Sequence, residues 1–119
     1  EVEASLADAY RRSLAGRDLE VLVETGADVL GLDWRIDPAE AIRRTQGKVA
    51  LQGNLDPCVL FASPEVVERE ARRVLESFRH APGYIFNLGS GILPGVPVAS
   101  MEALFRVIQT DTVPMGARA

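Results

Sequence analysis

Residues 49–57 read VALQGNLDP, and this stretch decides the fold. Val49, Ala50 and Leu51 form a short apolar run. Gln52 and Gly53 end it, and Asp56-Pro57 is a turn signal. A run of this length, bounded this way, reads as a strand over Val49–Gly53 buried in a parallel sheet. The same unit recurs on either side. Residues 28–34, DVLGLDW, are again short, apolar and closed by polar or turn residues, and residues 84–88, YIFNL, form a third such strand before Gly89.

Helical signals fill the intervals. Residues 3–25 carry Leu6, Ala9, Tyr10 and Leu14, then Leu19, Leu22 and Val23, at three- and four-residue spacing, with a break near Gly16 and a C-cap glycine at Gly26. Asp37-Pro38 opens the next helix, with Asp37 as N-cap, Pro38 in the first turn and Glu40 placed to complete a capping box; Gly47 stops it. Pro57 to Phe61 forms a short helical turn. Ser63-Pro64 starts a long helix with Val66, Val67, Ala71, Val74, Leu75 and Phe78 along one stripe. Pro97 starts the last helix, with Met101, Leu104, Phe105 and Ile108 expected inward. The tail from Thr110 to Ala119 is expected to fray.

Helix and strand therefore alternate, which implies an α/β architecture of three parallel strands joined by crossover helices. Three parallel strands leave two unprotected edges, so the unit reads as a sector of a larger sheet or barrel. No internal repeat, low-complexity segment or domain boundary interrupts it.

Composition bounds the function. The chain has 119 residues, 47% hydrophobic and 25% charged, and a net charge of −4. That is ordinary for one soluble globular domain. The acidic balance argues against nucleic acid as a partner, which needs a basic face. Cys58 is the only cysteine, so no internal disulfide and no paired-cysteine zinc site can form. No apolar run approaches the ~20 residues needed to cross a membrane. The acidic start, Glu1-Val2-Glu3, lacks a signal peptide's pattern, and the expected location is cytoplasmic. The missing initiator methionine fits a start inside a longer parent.

In a parallel barrel the C-terminal ends of the strands carry the chemistry. Four residues there are candidate substrate contacts. Ser90, between Gly89 and Gly91, is expected to face a pocket. Gln52 and Asn54 either read polar substrate groups or satisfy loop backbone. Asp33 is either a ligand acceptor or general base, or it binds its own loop. Asp56 is expected to cap the turn after the second strand, and Trp34 to pack. His80 lies near a helix C-terminus, where the dipole favours it. Gly89-Ser90-Gly91 lacks both the spacing of a phosphate loop and that of a nucleophile elbow, since residue 88 is leucine.

Three segments together carry a family resemblance: GADVLGLDW (26–34), LQGNLDP (51–57), and YIFNLG (84–89) followed by GILP (91–94). Their order and spacing are similar to the C-terminal motifs of the uroporphyrinogen decarboxylase family, over roughly residues 18–110. The resemblance implies that the chain is the C-terminal sectors of a (β/α)8 TIM barrel. Residues 1–17 form a divergent helical segment and 111–119 a tail. It implies a cytosolic homodimer acting in haem biosynthesis, which decarboxylates the four acetate side chains of uroporphyrinogen III to give coproporphyrinogen III. No metal or organic cofactor is implied: a protonated pyrrole is the electron sink, a carboxylate stabilises its positive charge, and arginines neutralise substrate carboxylates.

Three departures bear on activity. The family's essential aspartate and its substrate-binding arginines belong to the N-terminal half, so no catalytic residue is assigned here, and Asp33 belongs to another motif. The family usually has histidine where this chain has Ser90. The last helix opens Val96-Pro97-Val98-Ala99, without the usual polar cap, at a cost of about 1 kcal/mol. The chain alone is expected to be inactive, associating with itself or with the missing barrel half. Two alternatives stand beside the decarboxylase reading. One is a degenerate, non-catalytic barrel fragment. The other is a zinc- and cobalamin-dependent methyltransferase of the same superfamily, in which a zinc-binding cysteine stands at about the place of Ser90.

Overall fold

The computed structural model describes residues 19–111. The expected helix before residue 19 and the tail beyond residue 111 lie outside the described residues. Within them the order is α1 (Leu19–Glu24), β1 (Val29–Gly31), α2 (Pro38–Thr45), β2 (Ala50–Leu55), a 3-10 turn (Pro57–Phe61), α3 (Pro64–Ser77), β3 (Tyr84–Leu88) and α4 (Val98–Asp111). The strands form one parallel sheet in the order β1-β2-β3. Leu30 pairs with Leu51, and Leu51 with Tyr84; further along, Asn54 pairs with Asn87 and Leu55 with Leu88. The Gly53–Asn54 peptide is cis.

Helix starts follow the sequence chemistry. The Asp37 carboxylate accepts from the Glu40 backbone N–H at 3.0 Å, and the Ser63 hydroxyl accepts from that of Val66 at 3.4 Å. Each holds one of the donors that a first turn leaves unpaired. The reciprocal half of the expected capping box differs, because both carboxylate oxygens of Glu40 accept from the Arg43 guanidinium. At the C-terminus of α2 the left-handed turn begins one residue early, at Gln46 (φ 55°), and continues through Gly47.

All the helices lie on one face of the sheet. Leu30, Leu51 and Leu55 point into that layer and meet Val67, Ala71, Val74 and Phe78 from α3 and Ala103, Leu104 and Val107 from α4 in a single core. Along β3, Tyr84, Phe86 and Leu88 pack against the core while Ile85 and Asn87 are exposed, the alternation a strand imposes. The opposite face is bare: Val29 and Gly31 on β1 and Ile85 and Asn87 on β3 are exposed. β1 is shorter than the strand expected over 28–34, and within it only Leu30 is buried, since among the described residues no second layer covers the other side.

Ion pairs lace the outer surface. Arg44 joins α2 to Glu20 of α1 through two bonds of 2.7 Å, and these hold the Glu20 carboxyl down at about 2. Arg72 and Arg106 link α3 and α4 through Asp111 and Glu68. Such solvent-screened pairs add little to stability.

The last helix corrects one expectation. Its inward stripe is Ser100, Ala103, Leu104 and Val107, with Met101 and Ile108 partly buried, and Phe105 faces solvent at 53% exposure. One step along a helix rotates a side chain by about 100°; Ala103 and Leu104 flank the centre of the stripe, and the further step to Phe105 carries it off the core. Leu104→Ala should cost about 2–5 kcal/mol and Phe105→Ala within about 1 kcal/mol, measured by urea unfolding of the chain. Equal costs for the two would contradict this helix orientation.

Candidate functional site

The site is built where the three strands end. Three connections leave there: the loop 32–36 after β1, the 3-10 turn after β2, and Gly89-Ser90-Gly91 after β3. Between the first and the last lies a cleft of about 570 Å³, walled by Gly31, Leu32, Gln52, Asn87, Leu88, Gly89, Ser90, Gly91 and Ile92. None of these side chains is charged. The cleft can therefore offer apolar surface, two amides, a hydroxyl and backbone groups, but no counter-charge.

The loop after β1 crosses the ends of both other strands in close backbone contact. The Leu32 N–H donates to the Gln52 carbonyl at 2.7 Å. A Cβ at Gly53 would stand 2.6 Å from the Leu32 carbonyl oxygen, and Gly53 also adopts φ 125°. A Cβ at Gly89 would stand 2.3 Å from the Trp34 backbone nitrogen. Only glycine fits at either position. The Gly89 N–H in turn donates to the Leu55 carbonyl at 2.7 Å, fixing the start of the Ser90 turn to β2.

Side chains then lock the loop. Asn54, 5% exposed, donates its amide to the carbonyls of Ile36 at 2.7 Å and Asp33 at 3.3 Å. Asp33, 6% exposed, accepts from the backbone N–H and the Nε of its neighbour Arg35 at 2.8 Å each, and from the guanidinium Nη2 at 2.9 Å. The Arg35 guanidinium beside it holds the Asp33 carboxyl below its ordinary value, against the opposing effect of burial. On the core side, the Tyr84 hydroxyl donates to the Gly53 carbonyl, and its ring stacks on Phe78 at 4.3 Å. Burial raises the Tyr84 phenol above its usual range.

The four sequence-predicted residues thus divide. Gln52 and Ser90 line the cleft together. Asp33 lies in the loop that forms its rim and Asn54 near the end of β2 beneath that loop, with Asp33's carboxylate and Asn54's amide both engaged by the loop. Asn87 and Ile92 also line the cleft. Asn87 was legible in principle, since strand alternation places it opposite Phe86 and Leu88. Nothing local marks Ile92. Asp56 caps the 3-10 turn by accepting from the Cys58 N–H at 2.9 Å, as the Asp-Pro signal implies. Trp34, expected to pack, is 44% exposed. Among the described residues no group of three or more His, Cys, Asp or Glu side chains is placed to hold a metal ion, and no helix is long and apolar enough to cross a membrane.

Comparison with known proteins bears on what this cleft belongs to. The sequence model of the family described as Uroporphyrinogen decarboxylase (URO-D) matches residues 15–110. The uroporphyrinogen decarboxylase of Nitrosomonas europaea is 52% identical over 95 residues, covering 80% of this chain and 27% of that protein. That of Thioalkalivibrio sulfidiphilus is 54% identical over 89 residues, covering 75% and 25%. That of Serratia proteamaculans is 46% identical over 97 residues, covering 82% and 27%. The chain spans about a quarter of the length of these curated relatives.

The Asp33 bonds carry a pH signature. Its folded carboxyl is held below the unfolded value of about 3.9, so its stabilisation is complete above that value and lost as pH falls through the folded one. Asp33→Asn should cost on the order of 1–3 kcal/mol at pH 7. The gap from the parent chain should narrow as the pH is lowered below about 4. Denaturant titrations at both pH values measure it; a gap that stays constant would contradict the role of the ionised carboxylate.

Proposed function

The chain belongs to the uroporphyrinogen decarboxylase family, and from that premise we propose that its strand-end cleft is the C-terminal wall of a porphyrinogen-decarboxylating pocket. The observation that carries this is the uncharged cleft itself, closed by Gly89-Ser90-Gly91 at the carboxyl end of a parallel sheet. Ligands of α/β barrels bind at that end. A tetrapyrrole ring system is flat and apolar over each pyrrole, and its carboxylates lie at the periphery. A wall of Leu32, Leu88 and Ile92 suits the rings, and Gln52, Asn87 and Ser90 offer neutral hydrogen bonds to whatever polar groups reach them. Substrate contact at Gln52 and Ser90 is part of this proposal. Asp33 and Asn54 serve the same pocket by shaping its rim.

The reaction asks for more than this wall supplies. Decarboxylation of an acetate side chain requires protonation of the pyrrole ring, loss of carbon dioxide as the ring takes the electron pair, a second proton on the resulting carbon, and loss of the first proton from the ring to restore the pyrrole. A carboxylate must stabilise the cationic ring, and cations must hold the other carboxylates. The family's aspartate and arginines for these tasks lie outside the stretch that this chain matches. The proposed role of these 119 residues is therefore binding and shape, in a cytosolic assembly whose barrel is completed by further strands or a further subunit. Among the described residues one sheet face is bare and two strand edges are unpaired, which supports that completion.

The test uses the chain as it is, with uroporphyrinogen kept reduced. Binding is read by equilibrium dialysis and turnover by the carboxyl count of the products. The chain should bind without decarboxylating above the spontaneous rate. Ser90→His should bind several-fold more tightly below about pH 6.5, where the imidazole is charged and can pair with a carboxylate, and lose that gain as the pH is raised. Turnover by the parent chain, or a Ser90→His affinity equal to the parent's at every pH, would contradict the proposal.

A further inference from the structure

Trp34 is the chain's only tryptophan, and it is 44% exposed on a loop that has little freedom. Exposure of a large aromatic usually accompanies a mobile surface segment or a contact surface. Mobility does not fit here. The loop is tied to β2 by the Leu32–Gln52 backbone bond and by both bonds from the buried Asn54 amide. The Trp34 backbone itself is pressed against Gly89, a residue of the cleft wall. Its Cβ would lie 2.6 Å from one built on Gly89, so the indole leaves the chain at the cleft's edge.

The indole is also oriented. The Arg35 guanidinium carbon lies 5.7 Å from its ring centroid, in the range of a cation–π contact, and that guanidinium is anchored by the Asp33 carboxylate. A rigid, half-exposed aromatic plane next to an uncharged cleft is what a ring-shaped ligand uses, since it offers large contact area with few rotors to freeze.

We propose that Trp34 is a ligand-contacting residue of the cleft, stacking on a pyrrole ring of the bound tetrapyrrole with the indole face opposite Arg35. This deepens the tetrapyrrole reading and rests on it. The ligand class is an electron-rich heteroaromatic ring carrying peripheral carboxylates, and the Arg35 side chain beside the indole, paired with Asp33, is itself 58% exposed.

Because no other tryptophan contributes, its emission reports this one place. Uroporphyrinogen, kept reduced, is titrated into the chain while binding is measured in parallel by equilibrium dialysis. Trp34 emission should change with the same midpoint as binding. Trp34→Leu should weaken binding about five- to tenfold, and Trp34→Phe, which keeps an aromatic plane, should stay within about twofold of the parent. Binding with unchanged Trp34 emission would overturn the stacking while leaving the tetrapyrrole reading intact. So would a Trp34→Leu affinity equal to the parent's, or a Trp34→Phe loss as large as that of Trp34→Leu. Absence of binding by the parent chain in dialysis would instead overturn the tetrapyrrole reading, and the stacking with it.

Discussion

The backbone of residues 32–34 passes over two glycines, Gly53 and Gly89, at distances that leave no room for a side chain on either. The rest of the site depends on this crossing. It carries the loop after β1 over the ends of β2 and β3, so that an edge strand reaches the far wall of the cleft. It sets the entry to the Ser90 turn, because Gly89 is held from above by Trp34 and from the side by Leu55. It also places the polar groups of the loop where Asn54 can satisfy two carbonyls at once. A buried amide bonded this way specifies a single arrangement, because any displacement leaves polar groups unpaired in a dry environment.

The sheet beneath has a complementary asymmetry. Its helix side is a close-packed core around Leu51, Leu55, Val67 and Phe78, each fully buried. Its other side shows Val29, Ile85 and Asn87 to solvent. Family membership gives this asymmetry its meaning, because in a (β/α) barrel the uncovered face is the one that turns inward. The cleft at the strand ends is then the mouth of that interior. Its neutrality divides the labour in the proposed pocket: this wall presents ring-shaped apolar surface and neutral donors, and the charged chemistry comes from elsewhere in the barrel.

Much of this was legible in the sequence, for local reasons. The Asp37, Asp56 and Ser63 caps rest on a side chain and a backbone N–H two or three residues away, and each forms as its signal implies. β3 coincides with its apolar run because Gly83 and Gly89 bracket it. Three strand-end motifs in register carried the family. What escaped depends on contacts far apart in the chain. Asn54 read as ambiguous because its role is set by a loop 18–21 residues away. Trp34 read as packing, and the contact that fixes its backbone, with Gly89, lies 55 positions later in the chain. Phe105 read as core because it neighbours the true stripe, and hydrophobicity alone does not say which of two adjacent residues turns inward.

The loop crossing sets the site's shape, and Gly89→Ala tests that cause most directly. Amide NMR spectra of the parent chain and the variant should differ in two separated segments, 31–36 and 87–92, while the α3 and α4 signals hold. The added methyl group cannot coexist with the Trp34 backbone, so the loop must lift. Shifts confined to the immediate neighbours of residue 89, with residues 31–36 unmoved, would contradict the account.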